Sequence, residues 1–255
     1  MRIHHPAAAA LAAGLVLAAA ACAPAPDGGS AASADGVTVF AAASLSEAAE
    51  EMGQAWTEAP LRLNVGSSSQ LAAQILSGAR ADVIVAADQQ SLAPLREAGL
   101  LAEETVIAAN RLVLALAPGN PGAVDGLPDL AGSGVRTAAC AESVPCGRAA
   151  ERVLSASGVE LDGESREDDV RSVLTKVATG QADAGLVYLT DALAAADQGV
   201  TYLDLDDPEP NRYPAALTVE GSDNPAAVTF YDWLAAGGAE PILRDAGFGP
   251  AEPAG

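Results

Sequence analysis

Ser44 and Ser68 stand where a site for an anion is easiest to build. Each follows a run of apolar and small residues, Val37-Thr38-Val39-Phe40-Ala41-Ala42-Ala43 in one case and Leu63-Asn64-Val65-Gly66-Ser67 in the other, and each opens a pattern with helical spacing. A strand that runs into a serine at a helix start aims backbone N–H groups and a hydroxyl at one point, where the helix dipole also favours negative charge. Such a pattern describes an oxyanion holder. Ser44 is followed three residues on by Glu47, and Ser67 by Gln70, so each also predicts a capping box. Capping alone is the plainer account of either serine. Two strand-serine-helix units in succession favour a ligand, with Gly66 admitting close approach of the backbone. In a parallel sheet both helix starts lie at the carboxyl ends of their strands and converge on one crevice.

Other chemistries lack their residues. Both histidines, His4 and His5, lie at the N-terminus, which leaves none for a Ser-His-Asp or Cys-His nucleophile or for the usual zinc site. An exported hydrolase using Ser44 or Ser68 would need Lys176, the one lysine of the chain, as its base, and Gly66 to Gln70 lacks the second glycine of a nucleophile elbow. A net charge of −21 makes nucleic acid and anionic lipid surfaces poor partners. It does not exclude a small anion, because repulsion between exposed charges is screened beyond roughly 8 Å at physiological salt. Affinity is set by the few donors that touch the ligand.

The N-terminus predicts export. Met1 to His5 is a short basic start, Ala7 to Ala21 is an unbroken run of apolar and small residues, and Cys22 follows a run of alanines. Residues 1–21 therefore read as a signal peptide, too short to span as a permanent helix. With the cysteine at the cleavage point, the segment resembles a bacterial lipoprotein signal, in which Cys22 becomes the lipid-modified first residue and 22–36 a Pro, Gly and Ser tether. Ala19 stands where the lipobox usually has leucine, and cleavage near Ala21 or Ala25 with free secretion is the alternative. In an exported chain the even pair Cys140 and Cys146 predicts a disulfide, with a redox or metal pair as the other reading.

The elements that must position the serines alternate along the chain. Strand patterns at 37–41, 61–65, 82–86, 111–117, 135–139, 184–188, 200–203 and 215–219 are interleaved with helical patterns at 45–57, 69–78, 89–98, 147–157, 169–179 and 190–196, with two more after Asn224. The expectation is an α/β fold with mostly parallel sheets flanked by helices. The Pro and Gly cluster 118–128 and the stretch 206–214 are the two linker candidates. They predict a discontinuous lobe 1 (37–117 plus 214–255), an inserted lobe 2 (118–213) and a ligand cleft between the two. Trp56 and Trp233, on amphipathic helical patterns, read as core anchors.

These residues also carry a family likeness. Val-Phe-Ala-Ala-Ala-Ser-Leu at 39–45, Ser-Ser-Ser-Gln-Leu-Ala at 67–72, Ala-Asp-Val-Ile-Val-Ala-Ala-Asp at 81–88, Val-Pro-Cys-Gly at 144–147, Asp-Val-Arg at 169–171, Gly-Leu-Val-Tyr at 185–188 and Tyr-Pro at 213–214 occur in that order. The chain resembles the substrate-binding proteins of ABC molybdate importers, from Val37 to about Phe248. The resemblance implies a type II periplasmic-binding-protein architecture and capture of molybdate or tungstate without catalysis or cofactor. It also implies delivery by a monomer to a permease with its cytoplasmic ATPase, and no direct protein bond to the metal. The ligand residues it implies are Ser44 and Ser68 through hydroxyl and N–H, Cys146 and Val170 through backbone N–H, and Tyr188 through its hydroxyl. Cys146 replaces the family's usual alanine. Arg171 is expected behind the site or at the surface, and Asp168 and Asp169 are expected to serve a helix start while pointing away from the anion. Receptors for sulfate, thiosulfate or phosphate are the nearest alternative. Ferric-iron receptors share the architecture but need paired tyrosines with acidic or histidine partners, and only Tyr188 is well placed.

Overall fold

The computed structural model describes residues 36–131, 134–161, 163–207 and 209–251. The signal, Cys22 and the tether as far as Asp35 lie outside the described residues.

The chain forms two five-stranded sheets, each covered by helices. The first holds β1 (Val37–Ala42), β2 (Leu61–Gly66), β3 (Val83–Val85), β4 (Leu101–Asn110) and β10 (Asn211–Thr218) in the order β2-β1-β3-β10-β4. The second holds β5 (Leu112–Leu116), β6 (Thr137–Cys140), β7 (Ser165–Glu167), β8 (Ala184–Tyr188) and β9 (Thr201–Asp204) in the order β7-β6-β8-β5-β9. Both sheets are mixed. β1 pairs in parallel with β2 and β3, and β6 with β7 and β8, whereas β10 and β5 pair antiparallel with their neighbours. The parallel halves put strand ends and helix starts on one side, which is the geometry that builds a crevice.

The helices of lobe 1 are α1 (Ser46–Ala55), α2 (Ser68–Leu76), α3 (Ala93–Glu97), α7 (Pro225–Ala235) and α8 (Glu240–Asp245). Those of lobe 2 are α4 (Pro145–Ser157), α5 (Val170–Ala178) and α6 (Leu189–Ala194). The strands β5, β6 and β8 are buried along their whole length, as expected of a sheet covered on both faces. In lobe 1, Trp56 packs edge-on against Phe230 and tilted against Trp233, with ring centroids 5.3 and 5.7 Å away, so both tryptophans are core anchors.

The chain passes from the first sheet to the second between Asn110 and Leu112, before the Pro and Gly cluster at 118–128, and β5 belongs to the second sheet. It returns between Asp204 and Asn211. Two strands absent from the sequence reading complete the sheets. β4 carries Glu103 and Glu104 and has β10 as its one neighbouring strand, so as an edge strand it lacks the apolar alternation that marks a strand. β7 is three residues long and polar. β10 starts four residues earlier than expected, because Pro214 sits at a register irregularity that accommodates its missing N–H.

Candidate functional site

One cavity between the lobes is lined by Ala42, Ala43, Ser44, Gly66, Ser67, Ser68, Ala87, Pro145, Cys146, Asp169, Val170 and Tyr188. All five positions singled out above, Ser44, Ser68, Cys146, Val170 and Tyr188, are among them and buried. The cavity's space of about 20 Å³ exceeds the roughly 10–15 Å³ that one water needs. Its lining includes no Lys or Arg, and Asp169 is its only formal charge.

Three of these positions lie at helix starts. Ser68 is the first residue of α2, Cys146 the second of α4, and Val170 the first of α5. First-turn N–H groups have no carbonyl four residues back within their own helix. Ser44 lies in a 3-10 turn, Ala43–Leu45, that leads into α1. Neither expected capping box forms. Leu45 rather than Ser44 precedes α1, Ser46 instead donates its hydroxyl to Ala43 O, and Ser67 precedes α2 without a side-chain cap bond. Ser67 Oγ is buried and has no hydrogen-bond partner within the protein. Ser67 is among the residues that line the cavity, so it is a further polar group of the site, and only its place in the Ser-Ser-Ser run could have signalled this. Asp169 does line the cavity, but its Oδ1 accepts from Ser172 N at 2.9 Å, so the carboxylate serves the start of α5.

The hydroxyls are held from behind. Ala87 N donates to Ser68 Oγ at 2.9 Å, Asn211 Nδ2 donates to Tyr188 Oη at 2.7 Å, and Ser44 Oγ lies 2.7 Å from Tyr213 Oη. Burial holds both phenols well above the ordinary tyrosine range, so each keeps its proton. Beneath Tyr188, Asp191 accepts from Tyr188 N at 3.3 Å. Burial pushes its carboxyl up to about 7, opposed by Arg171 and reinforced by Glu47 and Asp169.

Cys140 and Cys146 are disulfide-bonded, with Cα atoms 5.7 Å apart. The bond ties the end of β6 to the first turn of α4. A Cβ on the next residue, Gly147, would lie 1.8 Å from Ala141 O, so glycine is required for this turn to pack on its own loop. By contrast, a Cβ on Gly66 would meet nothing nearer than Leu71 at 3.7 Å; the fold does not demand glycine there.

Polar contacts cross between the lobes around the cavity. Arg148 of α4 pairs with Asp88 at 2.7 Å and donates to Ser91 Oγ at 3.0 Å. Arg171 pairs with Glu47 at 2.8 Å, and Ser69 Oγ donates to Ser143 O at 2.9 Å. Arg171 thus has a definite partner in the facing lobe. Arg148, Asn110 and Asn211 are isolated polar residues that carry no periodic signal, and Tyr213 stands out in the sequence only through the Tyr-Pro pair. Lys176, the base a hydrolase would need, is ion-paired with Glu167 and does not line the cavity.

Residues 37–249 match the family model described as bacterial extracellular solute-binding protein. The chain is 38% identical over 249 residues to the molybdate-binding protein ModA of Mycobacterium tuberculosis, covering 94% of each chain. It is 30% identical to the putative ABC transporter substrate-binding lipoprotein YvgL of Bacillus subtilis, over 83% of this chain and 85% of that one. Among solved structures it is similar to the periplasmic molybdate-binding protein of Azotobacter vinelandii, with a TM-score of 0.72, 26% identity, and coverage of 83% and 98%.

Proposed function

The chain belongs to the bacterial extracellular solute-binding protein family, and from that premise we propose that it captures molybdate or tungstate outside the cytoplasmic membrane and delivers it to an ABC importer. The carrying observation is a cavity lined by buried residues, with hydroxyls from both lobes, three helix starts and no basic side chain. The names of the mycobacterial and Azotobacter relatives support the same ligand.

In this reading Ser44, Ser68 and Tyr188 donate hydroxyls, and Ser44, Ser68, Cys146 and Val170 donate backbone N–H groups. Fixed neutral donors match an anion with no proton of its own, because a ligand O–H would meet donors rather than acceptors. Molybdate and tungstate are dianions at neutral pH, and their metal–oxygen bonds are longer than the sulfur–oxygen bonds of sulfate, so cavity size separates them from sulfate. Helix N-termini offset the charge. The protein holds the oxyanion through its oxygens, needs no cofactor and carries out no reaction on it. The contacts between lobes then give the permease and its ATPase a closed, loaded monomer to recognise.

We also place the protein on the outer face of the membrane through a lipid on Cys22, a reading supported by the lipoprotein in the name of the Bacillus relative. Radiolabelled palmitate should enter the native chain and not Cys22→Ala. Calorimetric titration tests the ligand. Molybdate and tungstate should bind tightly and sulfate weakly, and equal affinity for sulfate would overturn the assignment.

A further inference from the structure

Asn110 ends β4 and Asn211 begins β10, and the two face each other in the register where the chain crosses between lobes. Both are buried. Neither lines the cavity, yet each connects to one of its hydroxyls.

The orientation of each amide is set by partners with only one possible role. Asn211 Oδ1 accepts from Arg152 Nη2 at 2.6 Å, and a guanidinium only donates. Asn211 Nδ2 donates to Ala87 O at 3.0 Å, and a carbonyl only accepts. The second proton of that Nδ2 is directed at Tyr188 Oη, so the phenol oxygen is an acceptor on this side. Asn110 Oδ1 accepts from Arg111 N at 3.0 Å, which turns its Nδ2 toward Thr190 Oγ1 at 2.9 Å and Tyr213 Oη at 3.5 Å. With its oxygen receiving from Asn110, Tyr213 gives its own proton to Ser44 Oγ, and the Ser44 proton is left for the cavity. Ala87, whose carbonyl anchors Asn211, uses its N–H to fill the acceptor side of Ser68 in the same way.

We propose that Asn110 and Asn211 are positioning residues that polarise the Ser44 and Tyr188 hydroxyls as donors into the cavity, and so set its preference for fully deprotonated oxyanions over protonated ones. The proposal rests on the oxyanion reading of the site. A free hydroxyl rotates to donate or to accept and tolerates either ligand, whereas a hydroxyl that already accepts from behind has one lone pair occupied and its proton turned toward the open side, which favours donation to the ligand. Each amide also spans the lobes. Asn211 joins Ala87 to Tyr188, and Asn110 joins Thr190 to Tyr213, so the polarity is imposed when the lobes are together.

The test is a pair of double-mutant cycles read by displacement calorimetry at pH 6, where molybdate is a dianion and phosphate carries protons. The first uses Asn211→Leu, Tyr188→Phe and the double variant. The second uses Tyr213→Phe, Ser44→Ala and their double variant, and leaves both hinge amides in place should Asn211→Leu fail to fold. Asn211→Leu and Tyr213→Phe should each weaken molybdate binding and lower the molybdate-to-phosphate affinity ratio, by about 10- to 150-fold at most for one donor to a charged ligand. Neither should lower the ratio further once Tyr188 or Ser44 has lost its hydroxyl, which a merely structural role would not produce. An unchanged ratio, or losses that add in both cycles, overturns the inference while molybdate binding by the native protein leaves the site reading standing. A native protein that binds neither molybdate nor tungstate overturns both.

Discussion

Replacing Ser68 with alanine should damage two things at once, and the two separate cleanly. The residue is buried, and its Oγ accepts from the buried N–H of Ala87 at 2.9 Å. Ser68→Ala leaves that N–H without an acceptor, at a cost of about 1–3 kcal/mol. For a folded unit of this size the melting temperature should fall by roughly 2–12 °C. The same change removes a hydroxyl donor to a charged ligand, worth about 1.5–3 kcal/mol, or roughly 10- to 150-fold in affinity for molybdate. Ser67→Ala is the comparison. Its hydroxyl is buried in the cavity wall with no protein partner, so its loss breaks no bond within the protein. Stability without ligand should hold, and only affinity should fall. Thermal melts without molybdate, followed by calorimetry well below the melting temperature, read the two effects. Ser68→Ala with native affinity, or Ser67→Ala as the more destabilising change without ligand, would refute this account of the serine run.

Removing the disulfide with Cys140→Ala and Cys146→Ala should cost roughly 2 to 2.5 kcal/mol of stability. It should also speed molybdate release in stopped-flow, because the bond limits the loop that presents the Cys146 N–H; an unaltered off-rate would make it a structural staple only. Asp191 is pushed up to about 7 by burial, so between about pH 4 and pH 7 the folded chain holds a proton that the unfolded chain has released. Stability therefore falls as pH rises through that window. Asp191→Asn should raise stability at pH 8 and change little at pH 4, and equal gains at both would contradict the burial argument. Arg148→Ala removes the contacts to Asp88 and Ser91 in the facing lobe and should weaken molybdate binding by about tenfold through easier opening. Small-angle scattering of the variant without ligand should show a larger radius of gyration than the native protein.

Much of the architecture was legible because the elements that hold the cavity are the most regular ones. β8 is observed at the residues where the apolar run placed it, and α2, α4 and α5 start within two residues of their expected positions. The parts that escaped notice have identifiable reasons. β4 is a long edge strand whose adjacent glutamates hide its pattern, and the crossing into lobe 2 follows Asn110 rather than the glycines and prolines that usually mark a boundary. The serine positions were legible but their caps were not. A 3-10 turn intervenes after β1, and Ser67 lines the cavity without bonding its hydroxyl to its own helix. Asn110, Asn211 and Arg148 act across the lobes through partners between 23 and 124 residues away in the chain, and no local pattern contains that information.

The proposed capture of a dianion by a chain of net charge −21 also assigns its cations a task. Arg148 and Arg171 each reach a carboxylate of the facing lobe instead of lining the cavity. A guanidinium inside would attract any oxyanion, protonated or not, because its field does not depend on where the ligand carries hydrogen. Hydroxyls and helix-start N–H groups do depend on it. Keeping the cations between the lobes lets closure be driven by charge while recognition is left to directional donors. A charge-reversed pair tests the division: Glu47→Arg with Arg171→Glu restores the attraction between lobes with opposite polarity. If closure and recognition are separate, this double variant should recover molybdate affinity relative to either single change, with the molybdate-to-phosphate ratio of the native protein. A ratio that shifts in the double variant would mean that Arg171 contributes to recognition itself.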